Sequence, residues 1–342
     1  MNGHAADLDI AAIARWMEGA VPGFRGPLMA KKFEGGQSNP TFRLDTPGRS
    51  YVLRRKPPGV LLKSAHAVER EFRVQRALAG TAVPVAEMLA LCEDESVTGS
   101  TFFVMAYVPG RSFDDPSLPD LAPPERRAIY DTMNATLAAI HGVDIAAVGL
   151  SDYGKAGNYF RRQIDRWSAQ YRASETETIP AMEELMVWLD ANVPPDDGRV
   201  TLVHGDFRMD NLLFDEASPR CVAVLDWELS TLGHPFADLA GILMQWRMPV
   251  GREERGLAGL DRAAWGLPSD EAFIADYCRR TGIAPIEDFS FYVAFCFFRM
   301  AAIMQGVRKR GLDGIASNPE RSLTMGALAP LYAALGIDAI AA

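Results

Sequence analysis

The sequence predicts an α+β chain of two lobes: a small N-terminal lobe, residues 1–109, built on a five-stranded antiparallel sheet with a helix, and a larger, mainly helical lobe, residues 110–342. Three observations predict it. Strand-like runs crowd the first 110 residues, a connector rich in Pro, Asp and Gly ("PGRSFDDPSLPDLAPP") follows, and helical periodicity dominates beyond it. The charge divides in the same place. Residues 1–110 carry 13 Lys and Arg against 11 Asp and Glu, whereas the remainder carries 22 against 33.

In chain order, "DLDIAAIARWMEGAVPGF" has helical periodicity and stops at Pro22-Gly23. "LMAKKFEGGQSNPTFRLDTPGRSYVLRRKP" reads as strand, glycine turn, strand, Pro-Gly turn, strand. "SAHAVEREFRVQRALAG" is a helix, with Ser64 able to cap its start and Gly80 to end it. "EMLALCED" and "STFFVMAYV" are two more strands. Helices are then expected at "PERRAIYDTMNATLAAIHG", "NYFRRQIDRWSAQYRAS" and "AMEELMVWLDANV". A short strand, "VTLVHG", and a hairpin of "NLLFD" with "RCVAVLDW" around "EASP" follow them, and from about 235 onward the chain is mainly helical.

Composition narrows the function classes. A hydrophobic share of 48% and a charged share of 23% are those of a globular protein, and the length exceeds one small core. A net charge of −9 argues against non-specific nucleic-acid binding. The four cysteines, at 92, 221, 278 and 296, have neither C-x-x-C nor metal spacing and read as reduced thiols. The N-terminus lacks a basic patch before an apolar run, so a cytoplasmic location is expected. The most apolar stretch, residues 291–307, is interrupted by Arg299 and reads as a buried helix, not a membrane span.

The chemistry concentrates in "VHGDFRMDNLLF", which fits H-x-D-x-x-x-x-N through His204, Asp206 and Asn211. Asp226 comes fifteen residues after Asn211, just past the apolar run "VAVL". Phosphoryl transfer needs a carboxylate near the attacking hydroxyl and hard oxygen ligands for magnesium. A loop bearing Asp and Asn, a hairpin and a further Asp can converge such groups. The earlier part of the chain offers the matching half. "EGGQSNPTF", with Gly36, Ser38 and Asn39, is a small-residue turn that can close over phosphates. "YVLRRKP" presents a cation at Arg54, and Glu71 on the next helix can fix its aim. The alternative for Glu71 is a solvated helix charge. The hinge-like "FFVMAYVPG", with Met105, Ala106 and Val108, offers backbone groups to an adenine edge. Strand alternation puts Arg54 with Val52 and Arg55 with Leu53, but the pattern alone leaves open which pair faces a nucleotide. His204 is expected to be a structural histidine bonded to backbone.

Glycine loop, strand cation, helix glutamate, hinge, H-x-D-x4-N and Asp occur here in the order of a protein-kinase-like fold. Through "GGQSNPTFRL", "YVLRRKPPG", "HGDFRMDNLLF" and "LDWELSTLGHPFADLA", the sequence resembles the aminoglycoside phosphotransferase and choline-kinase-like superfamily from about residue 30 to 310. The wording of "VLRRKPPG" and "LDWELSTLGHPFADLA" is most similar to the branch of kinase-like domains associated with acyl-CoA dehydrogenases. The resemblance implies ATP, Mg2+ and a small-molecule hydroxyl acceptor, for this branch a hydroxyacyl-CoA thioester. It implies Asp206 as the catalytic base, Asn211 and Asp226 as magnesium ligands, and Arg54 with Glu71 as the phosphate-binding cation and its partner. Met105, Ala106 and Val108 would form the adenine edge, through backbone atoms at Ala106 and Val108, and Asp238 would brace the catalytic loop. Arginine stands where kinases usually carry lysine, and Asp226 is followed by Trp-Glu, so that Glu228 is a further metal contact to consider.

The acceptor is the open part. Residues 155–172 hold Lys155, Arg161, Arg162, Arg166 and Arg172 against Asp165 alone, a surplus in an otherwise acidic lobe. Arg161, Arg162 and Arg166 are therefore candidate contacts for an anionic acceptor such as coenzyme A, the alternative being a solvated helix face. An aminoglycoside or amino-alcohol kinase and a catalytically silent nucleotide-binding regulator are the competing functions. No nucleic-acid or membrane partner is expected.

Overall fold

The structure is a computed structural model that describes residues 8–33, 39–57, 67–250, 255–286, 288–316 and 318–341. Gly36, Ser38 and Ser64 lie outside the described residues. By internal packing the chain forms two compact units, neither of them one continuous stretch. The first holds residues 1–112, 144–150 and 211–230, and the second holds 113–143, 151–210 and 231–342.

The first unit is built on the five-stranded antiparallel sheet. Its strands are β1 (Met29–Lys32), β2 (Thr41–Asp45), β3 (Ser50–Arg55), β4 (Met88–Cys92) and β5 (Phe102–Ala106), in the spatial order β1-β2-β3-β5-β4. Helix α1 (Ile10–Ala20) starts where the Asp9 side chain accepts a hydrogen bond from the Ala12 N–H at 2.9 Å. Its buried Ile13 and Met17 cover one sheet face, together with Phe42, Leu44, Tyr51, Leu53, Phe102 and Val104. Helix α2 (Val68–Leu78) covers the other face, where Val68 and Phe72 meet Phe103. Gly80, at φ 81°, follows its end. The alternation along β5 thus serves two cores at once: Phe102 and Phe103 are both 0% exposed on opposite faces, each burial worth roughly 2–3 kcal/mol.

A hairpin of β7 (Leu212–Phe214) and β8 (Cys221–Val224) belongs to this unit. Backbone bonds sew it in. Phe214 exchanges N–H and carbonyl with Arg111, both at 2.8 Å, and the Val224 N–H donates to the Pro84 carbonyl at 2.8 Å.

The second unit contains helices α3 (Pro123–His141), α4 (Tyr159–Ser174) and α5 (Pro180–Ala191), then α6 (Phe236–Trp246), α7 (Arg262–Trp265) and α8 (Asp270–Thr281), then α9 (Ser290–Leu312), α10 (Pro319–Gly326) and α11 (Ala329–Ala341). Helix α3 begins where Glu125 accepts from the Ala122 N–H at 3.0 Å. Strand β6 (Thr201–Val203) pairs with β9 (Thr231–Gly233), a partner too short to stand out in the sequence. Helix α9 is surrounded by α4, α5, α6, α10 and α11, which is why its aromatic run Phe295, Phe297 and Phe298 is 0% exposed. Among the described residues two stretches, 290–312 and 319–341, are long and apolar enough to cross a membrane by length and composition. Most of the apolar window of the first is buried against its neighbouring helices.

Candidate active site

The first unit gathers one cation and three carboxylates. In the β3–β5 register Arg54 stands opposite Phe103 and Arg55 opposite Phe102. Directly opposed residues share a face, so Arg54 joins the α2 side and Arg55 the α1 side. Arg55 is 4% exposed, with Nη1 donating to the Thr98 carbonyl at 3.2 Å and its guanidinium over the Phe42 ring. Arg54 instead meets the acids. Its Nη2 donates to Asp226 Oδ1 at 2.6 Å and lies 3.6 Å from Glu228 Oε2, while Nε lies 2.9 Å from Glu71 Oε2. That last contact is a close ion pair between two fully buried atoms. Glu71 is 2% exposed. Burial, with the nearby charges of Asp226 and Glu228, pushes its carboxyl up to about 7 despite the opposing pull of Arg54.

The hairpin delivers the acids to this point. The Leu225 N–H donates to the Asn211 carbonyl at 2.8 Å, setting Asn211 opposite the residue before Asp226. Asp226 turns the chain with a left-handed φ of 62°, and a 3-10 turn, Trp227–Leu229, carries Glu228 back. Trp227 anchors that turn: it is 0% exposed and its indole N–H donates to the Val224 carbonyl at 3.0 Å. Asn39 is 1% exposed, with Nδ2 3.4 Å from Glu228 Oε2. The hinge residues continue β5. The Ala106 N–H is bonded to the Glu87 carbonyl at 2.9 Å and the Tyr107 N–H to the Ser50 carbonyl at 3.2 Å, and Val108 follows beyond the strand. Met105 pairs with Val52 on the α2 side.

The second unit holds Asp206 on a tightly built turn after β6. Asp238, 3% exposed in the first turn of α6, accepts from the His204 N–H at 2.7 Å and the Gly205 N–H at 2.8 Å. His141 Nε2 lies 3.3 Å from the same carboxylate, and its Nδ1 lies 2.6 Å from the Tyr277 hydroxyl. Burial works against the charge of Asp238, but the hydrogen bond and field of His141, the field of His204 and the Gly205 N–H outweigh it and hold the carboxyl below the usual range. His204 is fully buried, and its Nδ1 accepts the Asp206 N–H at 3.3 Å, in keeping with a structural histidine.

Two neighbours of Asp206 did not stand out in the sequence. Arg208 lies 3.2 Å from both Asp206 Oδ1 and Asp210 Oδ2, and Asp210 is also paired with Arg255. Desolvation raises the Asp210 carboxyl against the pull of both arginines. The signal available was the alternation D-x-R-x-D, which is meaningful only once a turn brings those side chains together.

The arginines of α4 are largely committed. Arg161 pairs with Asp165 and Asp190 at 2.8 and 2.7 Å, and Arg162 donates to the Lys155 and Ala156 carbonyls. Arg166 is exposed and lies over the Trp167 ring.

The phosphotransferase enzyme family matches residues 30–286. Acyl-CoA dehydrogenase family member 10 of Mus musculus is 50% identical over 294 residues, covering 86% of this chain and 27% of that protein. Acyl-CoA dehydrogenase family member 11 of Homo sapiens is 42% identical over 307 residues, covering 89% and 39%. The chain thus spans less than half the length of these curated relatives. A crystal structure from Ralstonia eutropha JMP134, assigned as an aminoglycoside phosphotransferase, superposes with a TM-score of 0.88 at 52% identity, covering 97% of this chain and 98% of that one. The aminoglycoside phosphotransferase APH(4)-Ia, in a ternary complex with AMP-PNP and hygromycin B, shares the fold with a TM-score of 0.61 at 21% identity, covering 96% and 98%. The match across three quarters of the chain, over the residues whose geometry is given above, places the protein in the phosphotransferase enzyme family.

Proposed function

We propose that this phosphotransferase moves the γ-phosphoryl group of ATP to the hydroxyl of a small molecule, and that the acceptor is a hydroxyacyl-CoA thioester. The observation that carries the first part is the single guanidinium of Arg54 held among Glu71, Asp226 and Glu228. A cation so placed can release Asp226 to a metal and turn its donors to phosphate oxygens, with Glu71 keeping its aim.

The donor chemistry fits magnesium. Among the described residues no group of three or more His, Cys, Asp and Glu is arranged to hold a metal. Magnesium, however, is typically bound through one or two carboxylates, with phosphate and water completing its shell. Asp226 and Glu228 both approach the same Arg54 nitrogen, and Asn211, in the short turn just before β7, would add the oxygen of its side-chain amide. When bound there, the metal would neutralise charge on the transferring phosphates. Asp206 orients the acceptor hydroxyl and takes its proton. Val108, beyond the last sheet bond of β5, supplies the backbone donor to adenine, and the Ala106 carbonyl the acceptor, because the Ala106 N–H is already used.

The acceptor reading draws its support from the curated relatives, which are named as acyl-CoA dehydrogenase family members. The basic helix α4 adds less than its composition suggests, because Arg161 and Arg162 already have partners. A panel of hydroxyacyl-CoAs, aminoglycosides and amino alcohols, read by ADP release with Mg-ATP, tests both parts. Efficient turnover of hydroxyacyl-CoAs alone is expected. Efficient turnover of a kanamycin-type aminoglycoside with none of the thioesters would overturn the acceptor. Equal turnover by wild type and Asp206→Ala would overturn the mechanism.

A further inference from the structure

We infer that Arg299, the charge that interrupts the most apolar helix of the chain, is a positioning residue for Asp206. The inference rests on the reading of Asp206 as the group that meets the acceptor hydroxyl. A guanidinium within a run of buried aromatics costs desolvation energy and is retained where it answers a specific buried polar group. Arg299 Nη2 donates to the Gly205 carbonyl at 3.0 Å. Burial opposes its charge, and the neighbouring carboxylates of Asp206 and Asp238 help to keep it cationic.

The peptide it grips is the one that aims Asp206. Gly205 sits at φ 86°, a conformation that gives the backbone no Cβ to brace it. The peptide before Gly205 is held through its N–H by Asp238. The peptide after it, which joins Gly205 to Asp206, is held at its oxygen by Arg299 and at its nitrogen by His204 Nδ1. Hydrogen bonds at both O and N restrain the tilt of that plane. Rocking it would change ψ of Gly205 and φ of Asp206 together and swing the Asp206 Cα–Cβ bond. Asp238 secures one side of the glycine and Arg299 the other, from a helix far along the chain.

The test uses the full chain with Arg299→Lys, Arg299→Met and Arg299→Ala, read by amide hydrogen exchange and by ADP release from Mg-ATP. In Arg299→Met, exchange over residues 204–207 is expected to speed up by about tenfold, while α4, α6 and α9 stay as protected as in wild type. kcat is expected to fall roughly 10–100-fold with the KM for ATP within about twofold, since a misaimed group costs turnover and leaves nucleotide binding intact. Arg299→Lys should lie between wild type and Arg299→Met, and guanidinium ion added to Arg299→Ala should restore part of the lost kcat. Unchanged exchange at 204–207, or exchange rising together across α9 and the helices packed on it, would overturn the inference and assign Arg299 to core filling. If wild type releases no ADP at all, the phosphotransfer reading fails while the exchange measurement still decides the role of Arg299.

Discussion

At the scale of single residues, the charges of the site are unequal in what they do. With Asp206 in its proposed role of general base, Asp206→Ala should lower kcat for ADP release by about 10²–10⁴-fold, with nucleotide affinity little changed, because such a base acts on the acceptor proton and not on ATP binding. Arg54→Ala should act on the other term. Losing a charged hydrogen-bond donor to phosphate costs about 1.5–3 kcal/mol, so the KM for ATP should rise by roughly one to two decades, measured by initial rates. The neighbouring Arg55→Ala is a control for location: it removes a buried contact on the opposite sheet face and should lower stability with less effect on KM. Glu71 makes the pH dependence testable. Its folded-state pKa, about 7, lies above the ordinary value of 4.5, so the folded protein holds this proton more tightly than the unfolded chain. The associated stability is present in full below the ordinary value and is lost as pH rises to about 7, with a slope of at most about 1.4 kcal/mol per pH unit. Glu71→Gln should flatten that part of the profile of unfolding midpoint against pH.

At the scale of elements, the hairpin β7–β8 shows how local pattern and tertiary pairing divide the work. Its strands and the turn at "EASP" are legible from apolar runs flanking turn residues. Its attachment is not, because the bonds from Phe214 to Arg111 and from Val224 to Pro84 join segments more than a hundred residues apart. Gly110 is what that attachment requires. A Cβ there would stand 2.6 Å from the Phe214 carbonyl oxygen and 2.8 Å from Leu213 Cγ. Gly110→Ala should therefore destabilise the protein by about 1–3 kcal/mol, read from a urea unfolding midpoint. It should also weaken nucleotide binding, since the same hairpin carries Asn211 and Asp226. The pairing of β6 with β9 was illegible for a related reason: three-residue strands have too few positions to show alternation, and only their register reveals them.

At the scale of the whole molecule, ligand binding and folding are linked. Whatever binds the folded chain and not the unfolded one stabilises it, by about 2.7 kcal/mol at a hundred times Kd. Mg-AMP-PNP should accordingly raise the thermal midpoint of wild type, EDTA should remove most of that shift, and Asp226→Ala should show little of it. The division of the chain follows the same economy of burial. The first 112 residues carry a two-faced sheet that needs a helix on each face, and they find both within their own length.

The sequence by itself determined the α+β class, the order of its main elements and the candidates Asp206, Asn211, Asp226 and Glu71, while Asp238 came from the family resemblance. Periodicity, turn chemistry and motif spacing are local properties, and they survive being read one residue after another. Only the tertiary structure decided between Arg54 and Arg55, because alternation separates two faces without saying which face the glutamate of α2 will cover. It also decided that the arginines of α4 are mostly paired, and that Arg299 reaches Gly205 from nearly a hundred residues away. A charge in a sequence has a sign but no neighbours, and its partners exist only once the chain has packed.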